Sequence, residues 1–190
     1  MKTNIITAIK LTFLSLILFV GIYTTIVWLI AQCCPNHGKG ATLTYKGKSY
    51  VANIGQSFTN DKYFWSRPSA VDYNAASSGG SNAAAANTDY LKIVKMRLDT
   101  FLKHNPSINK EQVPVELLTA SGSGLDPHIS PKAALVQIKR IATIRHIRET
   151  AVQQLIEHTT EPSLWGILGP KKINVLKLNI ALDNSMNNDN

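Results

Sequence analysis

The chain has 190 residues, 44% of them hydrophobic, with two cysteines and a net charge of +8. That length holds one globular domain beside any membrane segment. The adjacent Cys33 and Cys34 exclude a disulfide framework. Basic residues scattered from Lys2 to Lys177, with no block and no aromatic interleaving, exclude a nucleic-acid footprint and leave a general bias toward an anionic membrane surface or acidic partner.

From Leu11 to Ala31 there are 21 residues without a charge, rich in Leu, Ile, Val and Phe, with Trp28 near one end. About 20 such residues cross a hydrocarbon core of roughly 30 Å. We therefore expect a transmembrane helix over 11–31, preceded by a short cytoplasmic N-terminus at 1–10. A cleaved signal peptide carries an apolar region of only about 7–15 residues and a small-x-small site. Ile30-Ala31-Gln32 offers no such site, and glutamine before Cys33 also argues against lipoprotein processing. Lys2 and Lys10 face Lys39, Lys46 and Lys48 across the segment, so charge marks the orientation weakly; the N-terminus inside and the bulk of the chain outside is the favoured arrangement. Cys33-Cys34-Pro35 reads as a small apolar membrane edge rather than an acylation or redox site, and is assigned no role.

Residues 32–47 read as a linker, followed by one domain over 48–183 that opens on a strand at Ser49-Tyr50-Val51-Ala52-Asn53-Ile54. Tyr63-Phe64-Trp65 then runs into Ser66-Arg67-Pro68. The rings read as buried area and Arg67 as a buried donor that fixes a loop, in preference to direct ligand contact. Ser77-Ser78-Gly79-Gly80-Ser81 can aim backbone amides at an anion, but without Gly-Lys-Ser/Thr it is no Walker loop, and a flexible turn is the simpler reading. Asn87 or Thr88 caps a helix with Leu91, Val94, Leu98 and Phe101 on one face, ending before Asn105-Pro106.

The most particular stretch runs from Val113 to Arg145. Val113, Val115 and Leu117 alternate as a short strand would; Ser121-Gly122-Ser123-Gly124-Leu125-Asp126-Pro127-His128 follows, and Ser130-Pro131 caps a helix reaching about His158. Glycines and prolines hold such a loop in one unusual path. Ile138, Ile141, Ile144, Ala151, Val152 and Leu155 form the helix's core-facing stripe, with Gln137, Arg145 and Arg148 on or beside it. Polar groups there need partners, so we expect Arg145 to pair with Asp126 and Gln137 to tie down the Ser121–Gly124 backbone. A triad of Ser123, Asp126 and His128 is disfavoured: a nucleophile elbow needs glycine where Ser121 stands, and three members within six residues cannot take up the required order. Leu176, Leu178, Ile180 and Leu182 alternate with polar or small residues as a closing strand, and 184–190 is a polar, frayed tail. Together the elements read as an α+β chain: one N-terminal transmembrane helix and one compact extracytoplasmic α/β domain.

Several ordered motifs carry a resemblance. Tyr63-Phe64-Trp65-Ser66-Arg67-Pro68-Ser69-Ala70, Ser78-Gly79-Gly80-Ser81-Asn82, the loop Thr119–Pro131 with Gln137 and Arg145, and Ile173-Asn174-Val175-Leu176-Lys177-Leu178-Asn179 resemble the C subunit of the Kdp-type potassium-transporting ATPase. The family's Leu-Gly-Pro after Ser-Gly-Gly-Ser-Asn is Ala83-Ala84-Ala85 here, a departure that bears on any role resting on a rigid turn at that point. The resemblance implies an accessory subunit of a high-affinity, ATP-driven potassium pump in the bacterial inner membrane. A channel-like subunit would bind potassium, a P-type subunit would hydrolyse ATP, and this chain would support assembly and raise the ATP affinity of the hydrolysing subunit as a catalytic chaperone. The likeness extends to a nucleotide-related role for Ser78-Gly79-Gly80. A domain outside the cell cannot meet cytoplasmic ATP, so we expect no firmly bound cofactor and read the exposed loops as docking surfaces for the channel-like subunit. The chain itself has no phosphorylatable aspartate motif, no phosphate loop and no metal cluster in its sequence. The reading from a different class is a free-standing, membrane-anchored binding or sensor domain.

Overall fold

The computed structural model describes residues 2–187, which divide after Val51 into two compact units. The first opens with a continuous helical run: α1 (Lys2–Ser15), a π-helical segment (Leu16–Tyr23) and α2 (Thr24–Cys33). Within it Asn4–Cys33 is long and apolar enough to cross a membrane, and none of it is buried by protein. A helix that is apolar on every side suits lipid rather than a protein core. Three of its threonine hydroxyls donate to carbonyls within the helix, as suits an apolar medium: Thr12 to that of Ala8 at 2.9 Å, Thr25 to that of Gly21 at 2.7 Å and Thr24 to that of Val20.

The stretch expected to be a linker has its own structure. After α2 the chain turns through Pro35–Gly38, with Asn36 and His37 in the left-handed region. Gly38 is required there, because φ is +73° and a Cβ would lie 2.9 Å from that of Ala31. Two strands follow, β1 (Thr42–Tyr45) and β2 (Lys48–Val51), paired antiparallel with Tyr45 opposite Lys48. Lys46 and Gly47 between them have φ of +49° and +74°, the mirror-image turn that matches strand twist.

The second unit, from Ala52 onward, contains helices α3 (Thr88–His104), α4 (Pro131–Leu135), α5 (Ile138–Arg145), α6 (Glu149–Thr159) and α7 (Val175–Asn187). They gather around a small antiparallel sheet of β3 (His128–Ile129), β4 (Thr160–Glu161) and β5 (Lys172–Asn174), ordered β3-β5-β4. Ile173 sits opposite both Ile129 and Thr160, which puts the middle strand at the centre of the core. Phe64, Phe101, Ile129, Ile141, Val152, Ile156, Ile173, Leu178 and Leu182 are buried together. Each such side chain contributes about 1.5–3 kcal/mol when fully buried.

The caps stand where the sequence puts them. Asn87 accepts from the amides of Asp89 and Tyr90 at the start of α3, and Ser130 accepts from Ala133 with Pro131 in the first turn of α4. On α3 Phe101 is buried and Val94 and Leu98 pack against the core, while Leu91 in the first turn stays exposed.

Other expectations are corrected as well. The single helix to His158 is three, because the path turns at Val136-Gln137 and again at His146, whose φ of +56° closes α5 in a left-handed cap. This break shifts the helical phase, so Ile156 enters the core while Ile144 and Ala151 face outward. The expected strand at Val113–Leu117 is two short 3-10 turns, Lys110–Gln112 and Val115–Leu117, with Val115 exposed. The expected closing strand at 176–182 is helix α7, preceded by the real strand β5: Val175, Leu178 and Leu182 stack at helical spacing on the buried face. Helix α7 also covers the described part of the expected frayed tail, whose remainder, 188–190, lies outside the described residues.

Candidate functional site

Residues 64–69 form no helix or strand, yet Phe64 is fully buried in the core and the residues after it are half-buried. Backbone groups there must find partners outside any ladder, and side chains supply them. Asn179 of α7 accepts from the Phe64 amide at 2.9 Å and donates to its carbonyl at 3.0 Å, as a neighbouring strand would. Gln137, fully buried, accepts from the Trp65 amide at 2.8 Å. Arg140 of α5 donates to the carbonyls of Asp61 and Tyr63, binds Asn105 and Gln137, and stacks 4.8 Å from the Trp65 ring centre. Burial lowers the Arg140 pKa to about 10, which leaves the guanidinium charged at neutral pH. Arg145 donates to the Lys62 carbonyl at 2.6 Å and pairs with Asp183 at 2.7 Å, and Tyr63 donates its hydroxyl to the same carboxylate. Five polar side chains from α5, α7 and the turn before α5, namely Asn179, Asp183, Gln137, Arg140 and Arg145, thus hold the aromatic segment.

A second clamp joins the far end of this segment to the glycine-serine loop. Arg67 pairs with Asp126 at 2.9 Å. The other Asp126 oxygen accepts from the His128 amide at 3.0 Å and faces His128 Nδ1 at 3.2 Å. The His128 side-chain hydrogen bond, with help from its amide and from Arg67, holds the Asp126 carboxyl below the usual carboxylate range. His128 Nε2 turns toward Glu161 on β4, 4.0 Å away, and Glu161 is itself held low by its bond to Lys177. Ser69 donates to the Gly124 carbonyl at 2.6 Å, while the Gly55 amide donates to that of Leu125 at 2.7 Å.

The Ser-Gly-Gly turn closes onto the same loop. Ser78 and the amide of Gly79 both donate to the Ser123 carbonyl, at 3.1 and 2.9 Å. A Cβ on Gly124, whose φ is +68°, would stand 2.8 Å from the Gly79 carbonyl oxygen, and one on Gly80 would stand 3.1 Å from that of Gly122. The glycines here let two backbones touch. Among the described residues no group of three or more His, Cys, Asp or Glu could hold a metal ion. His128 sits between Asp126, at 3.2 Å, and Glu161, at 4.0 Å, and the Ser123 hydroxyl accepts from the Leu125 amide at 3.1 Å.

A model of the family described as "KdpC: K+-transporting ATPase, c chain" matches residues 5–184. The chain belongs to the KdpC family. It is 50% identical over 182 residues to the protein called "Potassium-transporting ATPase KdpC subunit" of Flavobacterium psychrophilum, covering 95% of this chain and 97% of the relative. The proteins of the same description in Bacteroides thetaiotaomicron and Bacillus thuringiensis are 46% and 41% identical, over 96% and 97% of this chain and 98% of each relative.

In this family member two of the expected pairings are replaced by others. Arg67 is the loop-fixing donor it was expected to be, though its partner is Asp126. Arg145, expected on Asp126, is instead held by Asp183, and Gln137 binds Trp65, Arg140 and Ala133 rather than the Ser121–Gly124 backbone. Ser121 is buried and receives the Asp126 amide at 3.5 Å, while Gly122 and Ser81 stay exposed. Arg140, Asn179 and Asp183 were missed. The available signal was polarity on apolar helix faces: Arg140 lies between Ile138 and Ile141, and Asn179 beside Leu178, with Leu182 one turn on.

Proposed function

We propose that this chain is the accessory subunit of an ATP-driven potassium pump in the bacterial inner membrane. It is single-pass, with its domain outside, associated with a potassium-binding channel-like subunit and an ATP-hydrolysing P-type subunit. It supports assembly of the complex and raises the ATP affinity of the hydrolysing subunit, and it carries out no chemistry itself. The single observation that carries this reading is the family match over 5–184, which takes in the apolar helix as well as the domain.

The geometry is in keeping with a docking role. The conspicuous polar residues bond to each other and to backbone, which leaves a stiff surface rather than a reactive cleft. Ser78 and Gly79 are occupied with Ser123, so we assign the Ser78–Ser81 turn to loop packing and place ATP on the partner. Purification in mild detergent through a C-terminal tag tests the reading. Two large membrane proteins with potassium-stimulated ATP hydrolysis are expected in the eluate. A chain that elutes alone and inactive, under conditions that keep other membrane complexes whole, would leave a free-standing binding domain as the better account.

A further inference from the structure

Between α6 and β5 the chain projects a short apolar finger. Leu164 and Leu168 form an isolated antiparallel bridge, each amide donating to the other's carbonyl at 2.9 Å, and the Gly166 amide bonds to Ser163 at 2.9 Å. Backbone polarity is therefore partly satisfied inside the finger itself. Its side chains are not buried at all in the ordinary sense: Trp165 and Ile167 are each 81% exposed, Leu164 60% and Leu168 52%. Trp165 is held in the left-handed region, with φ of +53°, where bulky residues are rarely found. A contiguous cluster of four large apolar side chains pointing into water marks an interaction surface.

The charge around it identifies the occupant. Lys171 and Lys172 follow the finger after Gly169-Pro170, and no acidic residue occurs between Glu161 and Asp183. Glu161 is already engaged by Lys177 at 2.8 Å and Lys172 at 3.9 Å. The result is an apolar tip with an indole and a cationic base, the order of groups met on passing from hydrocarbon through the interface to anionic headgroups. The same chain carries a helix able to cross a membrane, which tethers the domain near a bilayer and raises the effective lipid concentration it meets.

We propose that Leu164–Leu168 is a membrane-interface anchor: Trp165 and Ile167 enter the headgroup and upper acyl region of an anionic bilayer, with Lys171 on the phosphates. This rests on the tether and not on which side of the membrane the domain occupies, so it stands or falls separately from the topology proposed above. Full-length chain with Cys33→Ser and Cys34→Ser, carrying a nitroxide at Ile167→Cys, is placed in phosphatidylcholine–phosphatidylglycerol vesicles. Collisions with dissolved oxygen and with a water-soluble nickel chelate are then compared. Oxygen is expected to dominate at 167 while nickel dominates at a reference label on exposed Thr150→Cys, and adding Leu164→Glu with Trp165→Glu should return the 167 label to the aqueous pattern. An aqueous pattern at 167 in vesicles overturns the proposal. Shielding of that label from both reagents only in an intact multi-subunit complex also overturns it, in favour of a protein partner on the finger.

Discussion

Asp126 joins two loops through its two oxygens, one on Arg67 and one on His128. Because its carboxyl is held below the usual range, its contribution to stability is fully present above the ordinary carboxylate pKa of about 3.9 and is lost as pH falls through the lower folded value. Asp126→Asn should therefore cost about 1 kcal/mol near neutral pH, a modest figure because the pair is partly exposed. The difference from the parent should shrink toward zero as the pH is lowered through the acidic range. Denaturation of the full chain in detergent at a series of pH values checks this, and an unchanged gap across the series would contradict it. The need of Asp126 for a cation was legible in the sequence, but the choice of cation was not. Arg145 is near in sequence and Arg67 is 59 residues earlier, and only the tertiary path of the aromatic segment brings Arg67 close. Arg140 escaped notice because a charge between two isoleucines looks like a solvated helix position until the carbonyls of Asp61 and Tyr63 are seen to need donors.

The two glycines of the Ser121–Gly124 loop have opposite tolerances. Gly124 has a positive φ and backbone within 2.8 Å of a built Cβ, whereas Gly122 has nothing within 4 Å. Gly124→Ala should cost about 3 kcal/mol, from the left-handed backbone and the clash with Gly79 together, and Gly122→Ala should be within about 0.5 kcal/mol of the parent. Thermal unfolding of the pair decides it, since equal losses would mean that the close approach of the two loops is not what holds them. Element starts were legible because caps are local: Asn87 and Ser130-Pro131 bond within one turn of themselves. Element ends were less so. The break at His146 has neither glycine nor proline to announce it, and the hairpin of β1 and β2 turns on Lys46-Gly47 rather than the stronger Asn-Gly signal. In 176–182, apolar residues at every second position fit a strand, but Leu178 and Leu182 are also one helical turn apart. Packing of Val175, Leu178 and Leu182 into the core favours the helix.

At the scale of the molecule, the residues that looked most functional in the sequence are engaged within the domain. Arg67, Asp126, Gln137 and Arg145 bond inward, and the Ser-Gly-Gly turn is fastened to Ser123. Membership of the family was legible because several ordered motifs lie widely spaced along the chain, and the family match spans residues 5–184. A chain of this kind would influence a pump by binding to it and shifting the affinity of another subunit, not by touching the reacting phosphate. The most direct measurement is potassium-stimulated ATP hydrolysis by the channel-like and P-type subunits, titrated with ATP in the presence and absence of this chain. The account predicts that adding the chain lowers the ATP concentration giving half-maximal rate about fivefold or more, the low end of usual coupling energies, with little change in the maximal rate. An unchanged half-maximal concentration in a fully assembled complex would contradict it.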